Sequence, residues 1–188
     1  MTPASVKKGR LTTRELVYIA LFAVLIVVCS WIAVPMPSGI PMTLQTFAIF
    51  LTLGLLGGKR GTLSLLVYIL LGVVGLPVFS GFRGGAGVLL GTTGGYLIGF
   101  IISALLYWLI VSKLGAKTYV IIISMLLGIA ACYAFGTAWF IFMYTKSTGA
   151  IGVLGALASC VFPFVIPDLV KIALAVFLTK KLSPRLKI

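Results

Sequence analysis

The sequence predicts an all-α integral membrane protein, a compact bundle of six transmembrane helices that forms one domain over residues 1–188. Of these residues 61% are hydrophobic and 9% are charged, whereas a soluble domain carries about 25% charged residues. Apolar stretches long enough to cross a bilayer recur along the chain. They are too uniformly apolar for barrel strands, in which polar and apolar residues alternate.

The first three predicted spans are 14–34, 41–56 and 62–78. The first stops where prolines interrupt the apolar run. The second begins at Pro41, because proline suits a first helical turn. Residues 57–61, Gly-Gly-Lys-Arg-Gly, form a tight polar connection to the third span.

The last three predicted spans are 95–111, 118–144 and 149–179. A glycine-dense outer loop precedes the fourth span, and a short basic turn separates the fourth from the fifth. The sixth span is long and is expected to be interrupted at Pro163 and Pro167. Because proline lacks a backbone N–H, we expect an interrupted hydrogen-bond ladder beside Pro167.

The basic residues lie between the spans and predict how the chain is oriented. Six spans put twelve of the fifteen Lys and Arg residues on one side, while Arg83 and Lys146 fall on the other and Lys171 lies within the sixth span. Cytoplasmic loops carry the excess of Lys and Arg, so both termini are expected in the cytoplasm. The net charge of +13 is thus explained without nucleic acid as a partner. The twelve residues are Lys7, Lys8, Arg10, Arg14, Lys59, Arg60, Lys113, Lys117, Lys180, Lys181, Arg185 and Lys187.

The chain lacks the residues that several kinds of chemistry require. The chain has no His, and Cys29, Cys132 and Cys160 lie in apolar surroundings, so neither a metal site nor a cofactor is expected. The P-loop pattern is absent, which argues against ATP binding by that route. An intramembrane enzyme would need a Ser/His pair or two aspartates, so an enzyme is not predicted.

An aspartate and a lysine within the sixth span are the strongest functional signal. Asp168 and Lys171 lie in "FPFVIPDLVKIALAVF", and the other acidic residue of the chain is Glu15. A charge inside a span costs about 2.5–3.5 kcal/mol, so such residues tend to mark functional sites. Asp168 precedes Lys180, which marks the cytoplasmic boundary, by about 18 Å of helix, which places it in the outer half of the membrane.

Three interpretations of this pair stay open on the residues alone: a polar ligand site, an ion pair that staples two helices, and a proton or cation relay. The ligand site is favoured because Thr43 and Gln45 are expected at a similar depth, and Arg83 lies on an outer loop. A carboxylate, an amine, a guanidinium and an amide suit a small ligand that carries an acid and an amide.

The glycines of the outer loop have two interpretations. From Gly87 to Gly99 they recur every four residues, a pattern typical of close helix packing. Gly84, Gly85 and Gly87 instead suggest a bendable lid or a close approach of the backbone to a ligand.

Three segments occur together in an order that resembles one known family. "PMTLQT" begins at Pro41, "GLPVFSGFRGGAGVLLGTTGGY" ends at Tyr96, and "IPDLVKIALA" contains the charged pair. Over about residues 14–182 the chain resembles BioY, the biotin-specific substrate-binding component of energy-coupling-factor (ECF) transporters of the bacterial cell membrane. The resemblance implies a six-helix bundle that captures biotin from outside, and partners that energise import: a membrane coupling protein and two cytoplasmic ATPases. The alternative function is a stand-alone proton-coupled carrier for a small vitamin.

The resemblance also implies roles for particular residues. Asp168 is expected to accept the ureido N–H groups of biotin, since an ionised carboxylate forms strong hydrogen bonds. Lys171 is expected to hold Asp168 in place or to reach the ureido oxygen, and Arg83 to bind the carboxylate of the valerate tail. The remaining ligand-binding residues are expected to be Gln45, Thr43, Tyr96, Phe79, Gly84, Gly85 and Gly91.

A docking face for the coupling protein is expected on the first helix. In the family this helix usually carries an alanine-xxx-alanine stripe, whereas the position four residues after Ala20 is here the bulkier Val24. Ala20 and Ala23 are therefore the expected docking residues.

Overall fold

The computed structural model describes residues 11–36 and 39–184. The basic residues of segments 1–10 and 185–188, on which part of the predicted orientation rests, lie outside the described residues. Within the described part the chain forms seven helices and one two-stranded antiparallel ribbon. These are α1 (Thr13–Trp31), β1 (Ala33–Val34), β2 (Met42–Thr43), α2 (Gln45–Val73), α3 (Ala86–Leu89), α4 (Gly94–Leu114), α5 (Thr118–Ser147), α6 (Val153–Cys160) and α7 (Phe162–Leu182).

Five of the described helices, α1, α2, α4, α5 and α7, are long and apolar enough to cross a membrane. The all-helical membrane class predicted from the sequence is therefore confirmed. The number of such helices differs from the predicted six because most of the predicted second and third spans lies in the single helix α2, which begins at Gln45 rather than Pro41 and ends at Val73 rather than Val78.

Helix α2 folds back on itself at Gly57. Gly57 has φ 76° and ψ 172°, a conformation that glycine adopts readily, and the helical segments on either side meet there. A methyl group on Gly61 would lie 2.9 Å from the Cα atom of Leu53, whereas residues eight apart in a straight helix are separated by about 12 Å. The predicted polar connection thus consists of one non-helical residue, and Gly58–Gly61 already belong to the next helical segment.

The connection between α1 and α2 contains the ribbon; we call the end of the bundle where it lies the outer end, and the opposite end the inner end. The first predicted span extended to residue 34, but α1 ends at Trp31, and Ala33 and Val34 pair with Thr43 and Met42. A residue that precedes proline is biased towards extended backbone, and Val34 precedes Pro35. This bias explains why the helix gives way to a strand.

The sixth predicted span corresponds to two helices, and a single break close to Pro163 replaces the interruptions predicted at both Pro163 and Pro167. The break lies at Val161, with φ −124° and ψ −58°, while α7 continues through Pro167. Pro163 falls in the first turn of α7, where a backbone N–H has no intrahelical partner in any case. α7 thus continues without a break at Pro167, although Pro167 has no N–H to donate to the carbonyl of Pro163.

Glycines on α4 and α5 let these two helices approach closely. Gly95 and Gly99 face the Trp139 and Cys132 side chains of α5, with no room for a methyl group in between. This agrees with the packing interpretation of the four-residue glycine repeat. The contact fixes the separation of two helices whose outer halves line the cavity described below.

One face of α1 packs into the bundle and the opposite face is exposed. Ala23 is 1% exposed and belongs to the core with Ile26, while Val24 is 57% exposed and Ala20 is also exposed. The prediction that Ala23 meets a partner protein is therefore wrong for this bundle, because residues three apart on this helix fall on either side of its buried edge. Ala20 and Val24 share the outward face.

The inner end of the bundle is fastened by the other acidic residue. Glu15 forms a capping box with Thr12 at the start of α1. Its Oε1 atom also accepts hydrogen bonds from Arg60, at 2.7 Å from Nε and in addition from Nη2. The ion pair joins α1 to the second segment of α2 close to Gly57.

Candidate ligand-binding site

A cavity lies among the outer halves of α4, α5 and α7, the first turn of α2 and the loop that follows α2. It contains about 720 Å³ of space, part of it open to solvent. Gln45 at the start of α2 and Phe79 beyond its end both line it, which requires the reversal at Gly57. Seven of the residues predicted from the sequence line the cavity: Asp168, Lys171, Arg83, Gln45, Thr43, Tyr96 and Phe79.

The carboxylate of Asp168 is held at both oxygens. Lys171 Nζ donates to Oδ1 at 2.8 Å, and the hydroxyl of Tyr133 on α5 donates to Oδ2 at 2.5 Å. The Asp168 and Lys171 side chains are 6% and 10% exposed. The ion pair lies within one helix, so it does not staple two helices; the link between α5 and α7 is the Tyr133 hydroxyl.

The position of this pair follows from the helical repeat of α7. Phe164, Asp168, Lys171 and Ala175 are all buried, whereas Ile166, on the other side of the helix, is 73% exposed. Residues at i, i+4 and i+7 occupy one helix face. The repeat that buries the apolar residues of α7 therefore also turns both charged side chains inward.

Tyr133 is the functional candidate that the sequence analysis missed. It lines the cavity, but it is one of seven tyrosines in a chain with many aromatic residues. A hydroxyl in an apolar span usually has a partner when buried, and Asp168 is the one acid far from the ends of the predicted spans that could accept from it. The expected pairing of a buried tyrosine hydroxyl with Asp168 was the signal that could have identified Tyr133.

Gln45 presents a polar group without a partner. It is 5% exposed, and its Nε2 atom has no hydrogen-bond partner among the described residues. Its backbone N–H donates to Thr43 Oγ1 at 3.2 Å, so the Thr43 hydroxyl helps to begin α2. Because a buried amide without a partner is costly, Gln45 is well suited to contact a bound polar group.

Tyr96 brings a further hydroxyl to the cavity from α4. Its oxygen lies 3.1 Å from the Oγ1 atom of Thr137 on α5, within hydrogen-bond distance. This contact holds the Tyr96 ring, which is half-buried, across the α4–α5 interface.

Phe79 and Arg83 lie on the same turn at the mouth of the cavity. The backbone N–H of Phe79 donates to the Arg83 carbonyl at 2.9 Å, and that of Arg83 donates back at 3.3 Å. Phe79 is buried, while Arg83 is exposed and donates from Nε to the carbonyl of Ser80 at 3.2 Å. The turn thus presents an apolar ring inward and a cation at the rim.

The outer end of α1 fastens the loop that leads into this turn. Ser30 Oγ donates to the Val78 carbonyl at 2.6 Å, and Trp31 Nε1 donates to the Pro77 carbonyl at 2.9 Å. Phe82 stacks on the Trp31 ring with centroids 5.0 Å apart. Fixed contacts therefore hold Pro77 and Val78, at the end of the predicted third span, and Phe82 in the predicted outer loop.

The predicted loop glycines do not line the cavity. Gly84 lies against the backbone carbonyls of Gly75 and Leu76, and Gly85 has φ 95°. The carbonyl of Gly91 accepts from Trp139 Nε1 at 3.0 Å. These contacts explain the glycines through the loop structure, and contact between them and a ligand stays a prediction.

Comparison with known proteins identifies the family of the chain. The sequence profile of the BioY family matches residues 3–188. The biotin transporter BioY of Thermotoga maritima is 40% identical over 170 residues, which cover 90% of this chain and 96% of that protein.

The chain belongs to the BioY family.

Further relatives agree with this assignment. The biotin transporter BioY of Rhodobacter capsulatus is 37% identical over 85% of this chain and 87% of its own. Among solved structures, the crystal structure of the S-component for biotin from an ECF-type ABC transporter superposes with a TM-score of 0.81 at 29% identity. It covers 92% of this chain and 94% of its own. The resemblance seen in the sequence is confirmed, and a transporter family agrees with the prediction that the chain is not an enzyme.

Proposed function

We propose that this BioY-family chain binds biotin and captures it for uptake as the substrate-binding component of an ECF-type transporter. The observation that carries the proposal is the buried Asp168 carboxylate, held by Tyr133 and Lys171 at the wall of a cavity. Two curated relatives are named as biotin transporters, and a structural relative is an S-component for biotin.

Asp168 is the acceptor for the ureido N–H groups. A carboxylate offers about four lone-pair positions, and Tyr133 and Lys171 use one on each oxygen, so acceptor capacity remains. These two donors keep the carboxylate ionised and oriented, which strengthens its hydrogen bonds to a ligand. The Gln45 amide then donates to the ureido carbonyl, which supplies the partner it otherwise lacks.

The opposite end of biotin is directed towards the rim. Arg83 is exposed at the mouth of the cavity and pairs with the valerate carboxylate, where both groups keep contact with water. Phe79 covers the fused rings, and Thr43 and Tyr96 complete the polar wall. Burying the ureido end and leaving the acid at the rim avoids the cost of desolvating an unpaired carboxylate.

The chain crosses the membrane six times, with both termini in the cytoplasm. The reversal at Gly57 supports two crossings within α2, and α1, α4, α5 and α7 each supply one. Lys59 and Arg60 adjoin the reversal, which agrees with a cytoplasmic position for it. An introduced Ser80→Cys should react with an impermeant thiol reagent on intact cells, whereas reaction only after lysis would reverse this orientation.

Energy for uptake comes from a membrane coupling protein and two cytoplasmic ATPases that dock on the outward face of α1. Ala20 is the small residue on that face. Ala20→Trp should therefore stop biotin uptake and leave biotin binding by the purified chain intact. Leu105→Trp on the exposed face of α4 is the matched control, and equal loss of uptake in both variants would contradict docking at Ala20.

Biotin binding is tested directly by isothermal titration of the purified chain. We expect one saturable site, and no heat of binding at concentrations that saturate the T. maritima relative would overturn the proposal. Uptake by cells should survive a proton uncoupler and stop when ATP is depleted. The reverse pattern would favour the proton-coupled carrier.

A further inference from the structure

The ring of Phe79 forms part of the cavity wall and lies directly on the backbone of α2 at Gly72. Phe79 is 2% exposed. A methyl group placed on Gly72 would overlap with the Cε1, Cε2 and Cζ atoms of this ring. The ring therefore occupies the space that any side chain at position 72 would need.

Two further features limit the movement of the ring. Tyr68, which is fully buried, meets it edge-on with centroids 5.5 Å apart and planes at 83°. The backbone of the turn is fixed by the paired hydrogen bonds between Phe79 and Arg83. Since Phe79 lines the cavity, a ring pushed away from Gly72 enters the space in which a ligand would lie.

The backbone at position 72 gives no other reason for glycine. Gly72 lies within α2 and its φ is not positive, and alanine favours a helix more than glycine does. Its carbonyl accepts from the N–H groups of Gly75 and Gly85 at 3.1 and 2.7 Å, and these bonds do not depend on the side chain.

We infer that Gly72 is a specificity-determining position of the binding site. Its missing side chain sets how deeply the Phe79 ring is recessed, and hence how much room the cavity offers to the fused rings of a ligand. The inference rests on the proposed function, because biotin is the ligand whose fit it describes.

The test is a double-mutant cycle that measures the dissociation constant of biotin by isothermal titration. In the natural background, Gly72→Ala should weaken biotin binding roughly ten- to hundredfold, since overpacking a tight contact has a cost of this size. Phe79→Leu removes the obstructing end of the ring and serves as the second background. There, Gly72→Ala should change the affinity by no more than about twofold, because the two positions act through one contact.

Gly54→Ala is the matched control. A methyl group on Gly54 would meet the Thr179 hydroxyl, so it carries a similar packing conflict away from the cavity and should leave the biotin affinity unchanged. Equal losses from Gly72→Ala in both backgrounds, or no loss in either, would overturn the inference. If Gly72→Ala alone does not fold, the Gly72→Ala, Phe79→Leu variant should fold and bind like Phe79→Leu, and its failure to fold would also overturn the inference. A natural chain that binds no biotin would instead refute the proposed function.

Discussion

The two acidic residues of the chain form ion pairs in two regions of the bundle. The regions differ in the other groups that surround each carboxylate. Glu15 joins α1 to α2 at the inner end, and its other contacts are to Thr12, so the chain itself supplies all its observed partners. Asp168 pairs with Lys171 on its own helix and with Tyr133, beside a cavity and near an amide without a partner. A carboxylate paired with a cation thus connects helices in one region, and in the proposed function the other such pair forms part of a ligand site.

The largest effect is expected from removing the charge of Asp168. Asp168→Asn should weaken biotin binding roughly thirtyfold to several-thousandfold, since losing one partner of a buried charged hydrogen bond costs about 2–5 kcal/mol. It should also lower the melting temperature, because Lys171 is left buried without a counter-ion. Isothermal titration and thermal melting measure the two effects.

The paired Asp168→Leu, Lys171→Leu variant separates stability from binding. It removes both charges, so its melting temperature without ligand should recover, whereas biotin binding should stay lost. Near-normal biotin affinity in this variant would show that the pair is structural, as the Glu15 pair is.

Tyr133→Phe is expected to have the next largest effect. It deletes the hydroxyl that donates to Asp168 and retains the ring, so biotin affinity should fall by about tenfold or more, as expected for a hydrogen bond to a charged group. Tyr107→Phe, at a buried tyrosine that does not line the cavity, should bind biotin normally. Unchanged affinity in Tyr133→Phe would mean that Asp168 needs no support from α5.

Gln45→Met should change stability and affinity in opposite directions. Removing a buried amide nitrogen that has no partner should stabilise the ligand-free protein by about 1–3 kcal/mol, while the lost contact weakens biotin binding. Ser103→Ala is the control, since the Ser103 hydroxyl is also buried without a partner among the described residues but lies away from the cavity. It should stabilise the protein without affecting biotin. A Gln45→Met variant that binds biotin as the natural chain does would remove Gln45 from the site.

The smallest effect is expected at the inner ion pair. Glu15→Gln should lower the melting temperature slightly and leave the biotin affinity unchanged, because the pair is partly exposed and distant from the cavity. Arg60→Met should give a similar decrease, and the double variant little more than either alone. Weaker biotin binding in Glu15→Gln would show that the two regions are coupled.

The sequence was most informative where a charge or a turn residue has few physical solutions. Asp168 and Lys171 had to face inward together, because the apolar repeat of α7 leaves no other buried face. Gly57 lay within the predicted connection, since only a residue tolerant of positive φ suits so tight a reversal.

The sequence was least informative where the outcome depended on packing between helices. Tyr133 could not be distinguished from other aromatic residues of the spans until α5 was placed beside α7. Interruptions of the sixth span were predicted at both Pro163 and Pro167 because proline is a strong local signal. The helix breaks only beside Pro163 and continues through Pro167, as a helix can when its neighbours support it. Ala23 was predicted to face outward because the sequence alone does not show which of the alanines of α1 faces the core. The structure buries Ala23.

The fastening of Pro77 and Val78 to Ser30 and Trp31 has a thermodynamic consequence. α1 is a continuous helix from Thr13 to Trp31. Its exposed Ala20 is therefore linked to the cavity wall at Phe79 through the helix and its hydrogen bonds to Pro77 and Val78. A protein that binds α1 and shifts its outer end would alter the free energy of biotin binding. By reciprocity, biotin would alter the affinity of that protein for α1 by the same factor.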